Sequence, residues 1–326
     1  MTIQFPNLNL NLRYVPKAFH IMNCEVTLFG IMIAAGLLAG MEFIVMKAKR
    51  RNQNQDLYLA AFLAAVCGGL LGGRLAYAAL HWDLYKSAPG MIANFRSGGM
   101  VLYGSLLGGI LFAALFCRLV KRAFTEMADV LGMGFLLADV IGVWGNFFDR
   151  GCFGEYTESL FAMQLPLSAV RSGEVSSLIR ENLVTVSEGT FIRVHPVFLY
   201  ESVWCLLLLF LLLAFDRKKR FAGETFLLCL SGYGLGKMVT EYLRAEQIRI
   251  PGIPVSLTVL ISAVLFAGCG ITAAVRHSMN AKRAAARRLR REKIQEQQNL
   301  QEEPLSPEEL RELTESLETV EKNRKL

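Results

Sequence analysis

Residues 143–159 read VWGNFFDRGCFGEYTES and close an apolar run, 127–148, that is long enough to be a membrane helix. Polar groups gather at and just beyond its end, where Asn146, Asp149, Arg150 and Glu155 stand among Gly142, Gly145, Gly151 and Gly154. Either an ordinary loop begins here, or a polar site is built where a membrane helix stops. What flanks the run decides between them.

The flanks are apolar. The chain has 326 residues, 53% of them hydrophobic, and a mean hydropathy of +0.37, a composition that places it with membrane proteins. A net charge of +7 and a pI near 9.1 do not point to nucleic acid, because the cations fall in short clusters beside apolar runs, not along one soluble face. No nucleic-acid partner is therefore expected. The seven cysteines form no CxxC pair and stand mostly inside apolar segments, so neither a disulfide framework nor a metal site is expected. Cys152, in the opening stretch, is the thiol expected to meet water, with a structural role.

Seven segments are long enough to cross a bilayer: 25–46, 57–81, 99–117, 127–148, 196–214, 221–242 and 252–274. The fourth and sixth carry Asp129, Asp139 and Asn146, and Lys237 and Glu241, which should face protein or a wet cavity. KAKRRNQNQ, RLVKR, DRKKR and the run beginning RHSMNAKRAAARRLRREK follow alternate spans and belong on the cytoplasmic side. The expected fold is an all-α integral membrane protein with about seven transmembrane helices, its N-terminus outside and its C-terminus cytoplasmic. Residues 1–24 read as an uncleaved extracytoplasmic or interfacial segment, 25–275 as the membrane domain, and 149–195 within it as a small extracytoplasmic subdomain. Residues 276–326 read as a charged, partly helical cytoplasmic tail, with Ser306 and Glu309 as the capping box of its last helix.

Polar residues recur near the extracytoplasmic ends of the spans. Arg74 follows paired glycines in CGGLLGGRLAY and needs a carboxylate, a phosphate or a route to the interface, because an arginine at a helix centre costs about 2.5–3.5 kcal/mol. Tyr103 in SGGMVLYGS is either an interfacial belt residue or a site residue. HPVFLYES puts Tyr200 and Glu201 on one helical face behind His195. GYGLGKMVTEYLR repeats Tyr233, Lys237, Glu241 and Arg244 as a stripe, which a Lys237–Glu241 pair alone would not require. Arg74, Tyr103, Asn146, Arg150, His195, Tyr200, Glu201, Glu241 and Arg244 are expected to converge on one cavity in the outer half of the bilayer. Such a cavity suits an anionic lipid headgroup.

GGRLAY, SGGMVLYGS, GNFFDRGCFGEYTESLFAMQLP, HPVFLYES, GYGLGKMVTEYLR and IPGIPVS, in that order over about residues 20–275, resemble the bacterial prolipoprotein diacylglyceryl transferases. The opening stretch is similar to that family's signature, close to GRxGNFxNxExxG, with Asn146 and Gly154 in place. The resemblance implies an enzyme of the bacterial cytoplasmic membrane that uses no metal or organic cofactor. Its partners would be phosphatidylglycerol, the signal peptides of prolipoproteins with a lipobox cysteine, and the surrounding membrane lipids. The diacylglyceryl group of phosphatidylglycerol would pass to the cysteine thiol, forming a thioether and releasing glycerol 1-phosphate in the first step of lipoprotein maturation. Asn146, Tyr103, Glu201 and Glu241 would then serve catalysis. Arg74, Arg150, Gly154, His195, Tyr200, Tyr233, Lys237 and Arg244 would form the headgroup site.

The chain departs from the family pattern at several positions. Val143 stands where the signature has Arg, Gly151 where it has Glu, and Asp149 where Asn is usual. Lys237 replaces an Arg and loses its bidentate fork, Phe29 replaces a Tyr, and Tyr103 stands where some members have His. Val143 and Gly151 together remove an ion pair while leaving no buried charge behind. They define a second reading, a relative that binds phosphatidylglycerol or prolipoprotein without transfer, with Arg150 as a substitute cation.

Overall fold

The computed structural model of the chain describes residues 2–21, 24–95, 98–186, 189–245, 255–302 and 307–324. Two short strands, β1 (Ile3–Phe5) and β2 (Leu10–Leu12), and a hairpin, β3 (Ala18–Ile21) with β4 (Cys24–Thr27), lead into the first long helix, α1 (Leu28–Arg50). Thr27 caps α1 by accepting from the Gly30 amide over 3.2 Å, and Lys47, Lys49 and Arg50 occupy its last turn, at the negative end of the helix dipole. Next come α2 (Gln55–Leu80), the single turn α3 (Trp82–Tyr85), α4 (Leu102–Leu119), α5 (Phe124–Gly142) and the short α6 (Gly145–Asp149). After β5 (Met163–Pro166), α7 (Ser177–Glu181), β6 (Val184–Val186) and β7 (Gly189–Val194), the chain returns to helix as α8 (Val197–Phe215), α9 (Glu224–Tyr242), α10 (Leu257–Glu302) and α11 (Pro307–Asn323).

Among the described residues six helical stretches are long and apolar enough to cross a membrane: α1, α2, α4, α5 continued through α6, α8 and the first part of α10. The segment expected as the sixth span folds as α9, which carries Glu224, Lys237 and Glu241 and is not in that set. Residues 252–254 of the expected last span lie outside the described residues, as do Ser306, most of the 243–251 connection and most of the IPGIPVS motif.

Small residues set the helix packing. α2 meets α4 along Gly68, Gly72, Gly104 and Gly108; a Cβ on Gly72 would lie 2.8 Å from the Gly108 Cα, so no larger residue fits. α1 crosses α5 in the same manner, where a Cβ on Gly40 would stand 2.5 Å from the Gly134 carbonyl oxygen. At the basic end of α1, Asp216 takes an ion pair from Lys47 at 2.9 Å and another from Arg51. Lys219 reaches the buried Asp129 at 2.7 Å, and Asp129 also accepts from the amides of Gly223 (3.0 Å) and Phe226 (2.9 Å), capping α9 from a neighbouring helix.

At the other end of α1 the expectation of an all-α chain is corrected. The N-terminal segment and residues 163–194 build one antiparallel sheet, in the order β2-β1-β5-β7-β6. Apolar and polar residues alternate along its strands, so Ile3, Phe5, Met163, Leu165, Ile192 and Val194 bury one face. They pack with Ile179 of α7 and with Val143, Phe147 and Phe198 from the helix ends, which fixes the sheet to the membrane helices by one shared core.

Residues 276–326 form a separate unit. It holds the basic extension of α10 and α11, on which Leu310, Leu313, Leu317 and Val320 recur on one exposed face.

Candidate functional site

The site is built where α5 stops. After Gly142 the chain passes Val143 and Trp144 into the single turn of α6, which ends as Arg150 adopts a left-handed conformation (φ 58°). Residues 152–155 then run between two backbones. The Gly154 amide donates to the His195 carbonyl (3.0 Å), the His195 amide to Glu155 (3.1 Å), and the Glu155 amide to Leu243 just past the end of α9 (2.8 Å). A side chain at 154 would put its Cβ 2.7 Å from both the His195 Cβ and the Leu243 carbonyl oxygen. Glycine at this position is what lets the signature loop lie against α8 and α9 together.

That close approach encloses a polar cavity of about 140 Å³. Asn146, Cys152, Glu201, Lys237, Glu241 and Arg244 line it, with Asp139, Thr240 and an apolar wall that includes Phe29, Ile33 and Val143. Its cations are paired in a way the spacing along α9 did not indicate. Lys237 forms its ion pair across the helices with Glu201, not with Glu241 one turn away. Glu241 is held by Arg244, whose Nη1 donates to both carboxylate oxygens, the longer contact being 3.1 Å. The Asn146 side chain has no hydrogen-bond partner among the described residues and so has its donors and acceptor available to a ligand. Burial pushes the Cys152 thiol up, the Arg244 guanidinium beside it pulls the other way, and Glu174 adds to the rise.

A larger chamber of about 330 Å³, apolar apart from a few groups, lies between α1, α2, α4, α5 and α9. Ile33 and Asp139 belong to the walls of both spaces.

Several expected site residues stand elsewhere. Arg74 is buried and donates to five backbone carbonyls, among them Ile92 (2.9 Å), Met91 (3.0 Å), Asn94 (2.8 Å) and Gly99 (3.0 Å). Tyr77 and Tyr85 flank its guanidinium, so this cation holds the 82–99 connection in place. Arg150 points away from the cavity and donates to the Val15 carbonyl at 2.7 Å, which leaves Val143 without a substitute cation from that neighbour. Tyr103 bonds Ser262 on α10. His195 and Tyr200 contact each other (Nδ1 to Oη, 3.2 Å) outside the cavity wall, and burial lowers the pKa of the imidazole. Tyr233 lines the apolar chamber, with the Lys237 ammonium 5.4 Å from its ring centre.

Asp139, Cys152 and Thr240 are the polar cavity residues that sequence reasoning left out of the site. The signal for Asp139 was present, an acid in the middle of an apolar run with no basic residue one turn away.

Comparison with known proteins places this architecture. Residues 16–275 match the family model described as prolipoprotein diacylglyceryl transferase. The phosphatidylglycerol--prolipoprotein diacylglyceryl transferase 1 of Clostridium perfringens is 31% identical over 252 residues, covering 77% of this chain and 90% of that protein. The transferase of the same name without the numeral from Clostridioides difficile is 29% identical, covering 76% of this chain and 89% of its own length. That of Acaryochloris marina is also 29% identical, with 79% and 89% covered. With its set of apolar helices the chain is a multi-pass membrane protein, and it belongs to the prolipoprotein diacylglyceryl transferase family.

Proposed function

We propose that the chain transfers the diacylglyceryl group of phosphatidylglycerol to the lipobox cysteine thiol of prolipoproteins, releasing glycerol 1-phosphate. The observation that carries this reading is the single cavity at the helix ends, where two cations, three carboxyls and an unpartnered amide meet beside an apolar chamber. The setting is a bacterial cytoplasmic membrane crossed seven times, α9 included, with the sheet outside and the basic loops and C-terminus inside.

In this reaction the thiol sulfur forms a bond to the terminal glyceryl carbon, and the carbon–oxygen bond to phosphate breaks. The thiol proton leaves through a cavity carboxylate and ends on the departing phosphate. Arg244 and Lys237 supply positive charge where the departing phosphate gains negative charge, and the Asn146 amide donates to phosphate or glycerol oxygens. Glu241 and Glu201 hold those cations in place and are the groups positioned to accept a proton. The chamber receives acyl chain.

The test is reconstitution of the purified chain with phosphatidylglycerol vesicles and a lipobox peptide. A peptide heavier by one diacylglyceryl group, with glycerol 1-phosphate formed in equal amount, is expected. Lipid binding with neither product would overturn transfer and leave a binding protein.

A further inference from the structure

Asp139 lies in α5 and lines both the polar cavity and the apolar chamber. In the polar cavity three carboxyls, Asp139, Glu201 and Glu241, face two cations, Lys237 and Arg244. Each cation is already paired, Lys237 with Glu201 and Arg244 with Glu241, so among the described residues the third carboxyl forms no ion pair. Asp139 has instead the Cys205 thiol, which donates to its Oδ2 over 3.3 Å, the carboxyl of Glu201 facing it, and only a share in the Lys237 charge that Glu201 already holds. A carboxylate beside another carboxylate in a water-poor interior is costly, and keeping a proton removes that cost. Charge counting therefore makes Asp139 a carboxylic acid, with an O–H to give.

The position of that O–H matches the layout of a diacyl phospholipid. Such a lipid is a charged headgroup, then a glyceryl unit with two ester carbonyls, then hydrocarbon. With the headgroup in the polar cavity and hydrocarbon in the chamber, the esters fall at the boundary between the two. Among the described residues only Ile33 and Asp139 line both spaces, and Ile33 has no polar side-chain atom. An ester carbonyl only accepts hydrogen bonds, so it is matched by a carboxylic acid and repelled by a carboxylate.

We propose that Asp139 is a specificity-determining residue that donates a hydrogen bond to an ester carbonyl of the donor lipid, selecting diacyl over dialkyl glycerophospholipids. The identity of the lipid rests on the transfer reading; the recognition of an ester at the junction does not.

The experiment compares diester phosphatidylglycerol with its dialkyl-ether analogue, each in vesicles of dialkyl-ether phosphatidylcholine, so that only the tested lipid brings esters. With the purified full chain, kcat/KM for transfer to a lipobox peptide and binding of each radiolabelled lipid are measured. The wild type should prefer the diester by about three- to tenfold, the range of one neutral hydrogen bond, and mainly through KM. Asp139→Asn, whose amide also donates, should keep most of that preference. Asp139→Leu should bring the ratio close to one. A ratio near one in the wild type, or a wild-type ratio in Asp139→Leu, overturns the assignment. Absence of transfer from either lipid would remove the transfer reading alone, because the ratio of bound diester to bound diether still decides the role of Asp139.

Discussion

Gly154 and Arg244 are paired backbone to backbone as an antiparallel bridge, which draws the signature loop onto the end of α9 and sets the Arg244 guanidinium into the cavity. The bridge depends on the missing Cβ, since His195 and Leu243 leave no room for one. Gly154→Ala should therefore lose transfer almost completely and cost about 1–3 kcal/mol of stability, as overpacking does. Thermal unfolding in detergent together with initial rates checks this; a variant with wild-type rates would mean the loop can move aside.

Arg74 is a structural cation. The five carbonyls it bonds lie between Met91 and Gly99, and Arg74 is not among the residues that line the polar cavity. Arg74→Ala leaves those carbonyls without their donor and should destabilise the fold by about 3 kcal/mol or more. Limited proteolysis should then cut within 86–99, while KM for phosphatidylglycerol in the surviving folded fraction stays near wild type. A raised KM without new cleavage would restore the headgroup role expected from sequence.

How much was legible in the sequence follows from the period of each signal. The membrane helices announce themselves as runs of about 20 apolar residues, and α1, α2, α4, α5 and α8 lie close to their predicted spans. The sheet was not seen because its strands are only three to six residues long, as in Ile3–Phe5 and Gly189–Val194, and too short for alternation to stand out. In the site, helical spacing placed Lys237, Glu241 and Arg244 on one stripe but could not choose their partners. Glu201 on α8 took Lys237, a contact between helices that no local spacing encodes. That Arg74 and Arg150 bond away from the cavity was not legible for a related reason. Their carbonyl partners are backbone atoms of loops, which a sequence does not distinguish from any other backbone.

Arg244 and Asn146 should separate in their kinetics. Arg244→Ala takes from Glu241 the guanidinium nitrogen that bonds both its oxygens, and breaking a charge pair of this kind costs about 2–5 kcal/mol, so KM for phosphatidylglycerol should rise. Arg244→Lys, with a single ammonium, should recover only part of it. Asn146→Ala removes an amide with no partner among the described residues, so stability should be unchanged while kcat falls by about a hundredfold, the scale for one lost transition-state donor. Rates measured against lipid concentration, with unfolding curves alongside, test both residues. Unchanged lipid dependence in Arg244→Ala, or wild-type kcat in Asn146→Ala, would remove that residue from the site.

Asp216, at the basic end of the helices, gives the fold an acid limit. Burial opposes its ionisation, but the pairs with Arg51 and Lys47 outweigh that and hold the carboxyl at about 2, below its ordinary 3.8. A depressed carboxylate contributes stability above its unfolded value and loses it as pH falls through the folded one. Asp216→Asn should therefore unfold more easily than the wild type at pH 7, by about 1–2 kcal/mol, and the two should converge as pH falls from about 4 towards 2. Unfolding measured at pH 7, 5 and 3 checks it, and a difference that stays constant over that range would exclude the linkage.

Val143 is where a cation can be returned to the cavity. It lines the wall at 6% exposure, in a space whose three carboxyls outnumber its two cations. Gly151 is not its simple counterpart. A Cβ there would lie 3.3 Å from the Asp149 Oδ2 and 3.7 Å from the nearer Glu174 oxygen, so a glutamate at 151 would enter a group of carboxylates. Lys17 and Arg171 already serve that group from exposed positions, which limits what they add. Val143→Arg alone should therefore raise kcat/KM for phosphatidylglycerol by up to about tenfold, the worth of roughly one added charge contact near 1.4 kcal/mol. Gly151→Glu alone should lower stability by about 1 kcal/mol through like-charge repulsion. The double variant should regain that loss only if the new guanidinium reaches residue 151. Initial rates and unfolding of all three variants decide the matter, and no gain in Val143→Arg would mean that the site works with the two cations it has.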